Sequence, residues 1–149
     1  MKVKYKHTNI VARDWRKVAE FYEQVLGCEP VPPERASAGE WVERLTGVPD
    51  AAVRGIHLRL PGYGDDGPTL EIFQYNKAED RPETAINRPG FAHLAFEVEN
   101  VEAARDAVIA AGGRCVGDLI TTQIAGAGTI TLIYMTDPEG NIVELLKWE

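Results

Sequence analysis

Residues 2–12 alternate between apolar and polar side chains, with Val3, Tyr5, His7, Asn9 and Val11 on one face, and predict a strand. Asp14 stands where a helix N-cap belongs. Trp15, Val18, Phe21, Tyr22, Val25 and Leu26 follow at helical spacing, and Gly27 ends the run. Cys28–Val31 reads as a short strand stopped by Pro32 and Pro33. Residues 37–47 predict an inserted helix, with Ser37 and Glu40 as a capping-box pair and Trp41 and Leu45 four apart. Val53–Leu60 is a predicted strand, and the Gly/Pro/Asp-rich segment 61–68 a turn or open loop. Thr69–Tyr75 is the next strand, with Thr69, Glu71, Phe73 and Tyr75 sharing a face.

A polar stretch holding Pro82 and Pro89 separates two halves: a module over 1–76, a linker over 77–88 and a module over 89–149. Phe91–Val98 predicts a strand with Phe91, His93, Ala95 and Glu97 on one face. Asn100 caps a helix that runs through Ala111 and stops at Gly112 and Gly113. Arg114–Val116 reads as a short strand, and the Gly- and Thr-rich segment 117–128 as a mobile loop. Thr129–Thr136 and Asn141–Trp148 are strands joined by the tight turn Asp137-Pro138-Glu139-Gly140.

The halves repeat. One shift of 86 residues lays His7 on His93, Asp14 on Asn100 and Gly27 on Gly113. The last strand of each half carries a glutamate, Glu71 or Glu144, here 73 apart because the first half holds extra loop and the inserted helix. The order is βαβββ twice, an α+β chain read as a single domain. Pseudo-twofold symmetry then brings His7, Glu71, His93 and Glu144 to a common centre. Two imidazoles and two carboxylates suit one divalent transition metal with positions left open. Taken singly, each residue also fits a structural role, as a core or surface histidine or a solvated strand glutamate. However, Glu144 lies among Ile142, Val143, Leu145 and Leu146, and Glu71 among Leu70, Ile72 and Phe73. An uncompensated carboxylate in such a strand is costly, and an ion offsets that cost.

Composition narrows the partners. The net charge of −7, with 16 scattered basic residues, disfavours a phosphate-backbone partner. No apolar run approaches the ~20 residues of a membrane-spanning helix, and the basic start Met1–Lys6 lacks the apolar stretch of a signal peptide. The expectation is a cytoplasmic protein. Cys28 and Cys115 belong to no Cys-x-x-Cys pair and read as buried, inert thiols.

At Lys6-His7-Thr8-Asn9-Ile10, Ala19–Gly27, Leu70-Glu71-Ile72-Phe73, Phe91–Phe96 and Asp137–Glu144 the chain resembles the vicinal oxygen chelate superfamily. That superfamily includes glyoxalase I, methylmalonyl-CoA epimerase, extradiol ring-cleaving dioxygenases and the fosfomycin- and bleomycin-resistance proteins. The resemblance covers nearly the whole chain. It implies tandem βαβββ modules forming a cupped, open mixed β-sheet barrel with flanking helices, a small-molecule substrate, and frequent homodimers with some sites built from two chains. It does not select the reaction, because one fold hosts many.

The His, Glu, His, Glu set is similar to that of glyoxalase I. By that resemblance one ion (Ni, Zn, Co, Mn or Fe) is held by His7, Glu71, His93 and Glu144. Glu144 removes a proton alpha to a carbonyl, and Glu71 assists or returns it. The implied activity is a metal-dependent lyase or isomerase. No organic cofactor is implied. Arg35, Arg54, Arg59 and Arg88 are candidate anion contacts that also read as surface residues. The epimerase family is a weaker match, usually having Gln where Glu71 stands. The extradiol dioxygenase ending is matched from Ile133 through Glu144, which makes Tyr134 a substrate contact. That family also needs a histidine six to eight residues before the tyrosine, where this chain has Ala125-Gly126-Ala127-Gly128. His57, the remaining histidine, reads as a strand residue within reach of the cup. A non-catalytic binder of the bleomycin-resistance kind is the third alternative, and retention of all four ligands argues against it.

Overall fold

The computed structural model covers residues 1–149. The chain forms two compact units, Met1–Asp80 and Arg81–Glu149, so the division falls inside the polar segment between the repeats.

Unit 1 runs β1 (His7–Val11), α1 (Trp15–Leu26), β2 (Glu29–Ala38), α2 (Glu40–Thr46), β3 (Ala52–Arg59) and β4 (Thr69–Tyr75). Its sheet has the order β1-β4-β3-β2, with β1 parallel to β4 and the other pairs antiparallel. Helix α1 starts as its sequence requires: the Asp14 carboxylate accepts from the backbone N–H of Lys17, and Gly27 takes the left-handed conformation at its end. Val18, Ala19, Phe21 and Tyr22 are buried, as are Leu58, Leu70 and Ile72 of the sheet. Leu70 and Ile72 alternate with Glu71, so the residue between them must face the other side of β4.

Unit 2 runs β5 (His93–Glu97), α3 (Val101–Ala110), β6 (Arg114–Cys115), β7 (Ile120–Ile124), β8 (Gly128–Thr136) and β9 (Ile142–Trp148). The order is β5-β9-β8-β6 with β7 on β8, and β5 is parallel to β9. Asn100 caps α3 by accepting from Ala103 N–H at 2.8 Å. Val101 and Val108 of α3 are buried, as are Met135, Val143 and Leu145 of the sheet. The segment joining the units is tied to the second: Arg81 and Thr84 both donate to the carbonyl of Gly140, in the turn before β9.

Several expectations are corrected. Residues 117–128 are not simply a loop: Ile120–Ile124 pairs antiparallel with β8, and the turn is confined to its tip. The alternating Ile-Thr-Thr-Gln-Ile supplies the β-branched side chains that this hairpin needs. Strand β2 does not stop at Pro32-Pro33, a cis peptide, but passes through an irregularity between Val31 and Arg35 and pairs again to Ala38. Strand β1 begins at His7 rather than residue 2. Helix α2 is capped by Gly39 with no side-chain bond, so Ser37 and Glu40 form no capping box. Of the two glycines expected to stop α3, Gly112 takes the left-handed conformation.

Candidate metal centre

In both units the glutamate sits on the strand between a parallel and an antiparallel neighbour. In unit 1, Glu71 of β4 lies beside Asn9 of β1 and His57 of β3. In unit 2, Glu144 of β9 lies beside Ala95 of β5 and Tyr134 of β8. The backbone positions correspond one to one, which is the repeat expressed in hydrogen-bond register.

Each glutamate meets the histidine of its own half. His7 Nε2 lies 3.7 Å from Glu71 Oε2, and His93 Nε2 lies 3.0 Å from Glu144 Oε2. The carboxylate side chains are 13% and 12% exposed, whereas the imidazoles are 45% and 29% exposed. A nearly buried carboxylate beside a more open nitrogen leaves the donors accessible from one side.

The pairs differ in their surroundings. Glu71 Oε2 also accepts from Asn9 Nδ2 at 2.7 Å, and Glu71 Oε1 lies 2.8 Å from His57 Nε2. His57 Nδ1 is 2.9 Å from Thr69 Oγ1, and its ring meets those of His7 and Phe73 edge to face. Burial pushes the His57 pKa below its ordinary value, against the opposing pull of the Glu71 charge. Glu144 instead faces Tyr134, whose ring centroid is 5.0 Å from that of His93. Burial first, and the Glu144 charge second, push the Tyr134 phenol up.

Two donors held at ~2.1 Å from one ion stand roughly 3.0–3.4 Å apart. His93 and Glu144 are already at that spacing, and His7 and Glu71 are close to it. Imidazole nitrogen with carboxylate oxygen fits a divalent first-row ion. No three His, Cys, Asp or Glu side chains are gathered tightly enough to hold an ion by themselves, so the donors stand as one pair in each unit.

The arginines separate by role. Arg59 is paired with Glu29 and Asp65, and Arg88 donates to the Glu83 carbonyl. Arg35 donates to the Pro33 carbonyl. Cys28 is buried, whereas Cys115 is exposed, contrary to the reading of both as buried. Trp15 is buried and Trp41 exposed.

The sequence pattern marks Asn9 only as a strand residue and does not by itself connect His57 with Glu71. A signal was available. Ile56-His57-Leu58 and Leu70-Glu71-Ile72 each place one polar side chain between two apolar ones. Antiparallel neighbours with that pattern put both polar groups on one face.

Residues 4–145 match the family model described as Glyoxalase/Bleomycin resistance protein/Dioxygenase superfamily, and the chain belongs to that superfamily. It is 28% identical over 147 residues to a "Probable lactoylglutathione lyase" of Vibrio parahaemolyticus, covering 95% of this chain and 88% of the relative. A second protein of that name, from Vibrio cholerae, is 26% identical over the same shares of both chains. The crystal structure of a glyoxalase family protein from Bacillus cereus superposes with a TM-score of 0.83 at 20% identity, covering 99% of this chain and 95% of that one. This confirms the glyoxalase α+β fold. No helix is long and apolar enough to cross a membrane.

Proposed function

We propose that the chain is a divalent-metal-dependent lyase or isomerase of glyoxalase type, which moves a proton alpha to the carbonyl of a chelated small molecule. The carrying observation is the pair of imidazole–carboxylate contacts, His7 with Glu71 and His93 with Glu144, at corresponding register positions of two like units. The lactoylglutathione lyase names of the relatives point to a hemithioacetal as the substrate class.

His7, Glu71, His93 and Glu144 would together hold one ion, within a chain or across a homodimer. Such an ion supplies Lewis-acid stabilisation of negative charge developing on the substrate carbonyl oxygen. Glu144 takes the proton from the carbon next to that carbonyl and delivers it to the adjacent carbon, so the step needs no external oxidant or reductant. Buried Val143 and Leu145 hold β9 rigidly behind the base. Tyr134, across the ladder from Glu144, would lie against the substrate beside the base.

The test is turnover of a hemithioacetal after loading with Ni²⁺, Zn²⁺, Co²⁺, Mn²⁺ or Fe²⁺, set against catechol cleavage under O₂. Hemithioacetal turnover with stoichiometric metal is the expected result. Glu144→Gln should then lower kcat by roughly 10²–10⁴-fold and stop proton exchange with solvent, as loss of a general base does. Catechol cleavage would move the assignment to the dioxygenases. Neither activity, with no metal bound, would leave a binding protein.

A further inference from the structure

Unit 1 holds a histidine that neither the repeat nor the ligand set uses. His57 Nε2 lies 2.8 Å from Glu71 Oε1, and its Nδ1 lies 2.9 Å from Thr69 Oγ1. Thr69 and Glu71 are alternate residues of β4, so one ring spans two side chains on one face. A carboxylate oxygen only accepts, so Nε2 carries the ring proton. In the neutral ring Nδ1 is then the acceptor, and the Thr69 hydroxyl donates to it. The donors run in one direction, from Thr69 through His57 to Glu71.

This occupies Oε1 of Glu71. Oε2 is the oxygen near His7, and Asn9 Nδ2 also donates to it. In the second unit the corresponding neighbours are Tyr134 and Ala95, and neither brings a nitrogen donor to Glu144. Two carboxylates at like positions are therefore held unlike.

We propose that His57 is a positioning residue, held by Thr69, that fixes the Glu71 carboxylate as a metal ligand through Oε2 and withdraws it from proton transfer. The inference rests on the metal-dependent reading above, and it assigns the difference between the two glutamates to the strand facing each of them. Outer partners that orient a ligand typically set metal affinity or activity by 10–100-fold.

The first experiment uses the metal-free protein. Long-range ¹H–¹⁵N NMR at mildly alkaline pH should show His57 as the Nε2–H tautomer, and the Nδ1–H tautomer would overturn the proposal. The second measures Zn²⁺ affinity by chelator competition, with visible spectra of the Co²⁺ form. His57→Leu should weaken binding by about 10–100-fold and shift the Co²⁺ bands. His57→Gln, whose amide can donate to Glu71 and accept from Thr69, should restore most of both. Should the leucine variant not fold, Thr69→Val supplies the same comparison, with a smaller loss expected. Unchanged affinity and spectrum in these variants, with wild-type metal binding intact, would overturn the role of His57 while leaving the proposed function standing. A wild-type chain that binds no metal would instead overturn the proposed function, and the ligand role of Glu71 with it.

Discussion

Asn9 donates to Glu71 across the parallel β1–β4 ladder at 2.7 Å, and the residue at its corresponding place in the second unit is Ala95, beside Glu144. The repeat is thus preserved in the backbone and broken in the side chains around the carboxylates. A ligand that must stay in place gains from donors on both oxygens. A base that must approach carbon and carry a proton is hindered by them.

Asn9→Ala should therefore weaken metal binding about 10-fold, the low end of what loss of an outer donor costs, with kcat at saturating metal little changed. Ala95→Asn should do the reverse, lowering kcat by tying Glu144 while leaving affinity near the wild-type value. Ala95 is exposed, so the larger side chain has room. Chelator competition and steady-state kinetics on both variants check the pair. An unchanged kcat in Ala95→Asn would count against Glu144 as the mobile carboxylate.

The two thiols should separate chemically. Burial, with the Glu23 charge adding to it, pushes the Cys28 thiol from 9.0 up to about 12. Cys115 is exposed. An aromatic disulfide reagent at about pH 8 should titrate one thiol per native chain quickly and the second only in denaturant. The stability effect has a definite sign. The folded value lies above the unfolded one, so the native chain binds more protons between about pH 9 and about pH 12. The stabilising contribution is complete below that window and is lost as pH rises through it. Urea midpoints of wild type and Cys28→Ala should converge on alkalisation, and a constant gap between them would refute the assignment.

Elements with strong periodicity were legible in the sequence. The apolar face from Trp15 to Leu26 and the caps Asp14 and Asn100 gave α1 and α3, because a helix declares itself within a dozen residues. The strands of Glu71 and Glu144 declared themselves by a charge among apolar neighbours. What did not show was register. That His57 faces Glu71 while Tyr134 faces Glu144 depends on loops of unequal length between the strands, which no local pattern encodes. Strand β7 is hidden because Gly117, Gly126 and Gly128 mask a five-residue alternation, and the continuation of β2 beyond Val31 because two prolines suggest an ending where the strand only deforms. Both glycines after α3 were expected to end it, and the one with positive φ is Gly112, a choice that residue type alone cannot make. Gly113 is small for a different reason: a Cβ there would lie 2.2 Å from the Thr136 carbonyl oxygen.

Capping offers a direct test of the helix that closes unit 2. Asn100 accepts from Ala103 N–H at 2.8 Å, satisfying one of the otherwise unpaired first-turn donors. Asn100→Ala should cost about 1 kcal/mol, and Asn100→Asp should cost little, since aspartate caps equally well. Urea denaturation of the three proteins measures it. Equal stability of the alanine variant would mean that water replaces the cap without loss.

A tight backbone approach in unit 1, at Gly55, bears on stability and site geometry together. Gly55 of β3 stands opposite Phe73 of β4. A Cβ built on it would lie 2.0 Å from the Ile72 carbonyl oxygen and 2.5 Å from Phe73 Cδ1. The aromatic ring could turn, but the carbonyl is part of the sheet and cannot. Gly55→Ala must then push β3 from β4, at a cost of about 1–3 kcal/mol typical of overpacking. His57 lies two residues further along β3, on the same face, so its bond to Glu71 should lengthen as well. The expected result is a lower unfolding midpoint accompanied by weaker metal binding. Gly64→Ala is the control: its Cβ meets nothing within 4 Å, and both quantities should stay at the wild-type level. If Gly55→Ala loses stability but binds metal as tightly as wild type, the ladder tolerates the displacement without moving His57, and the coupling between strand spacing and the Glu71 carboxylate is absent.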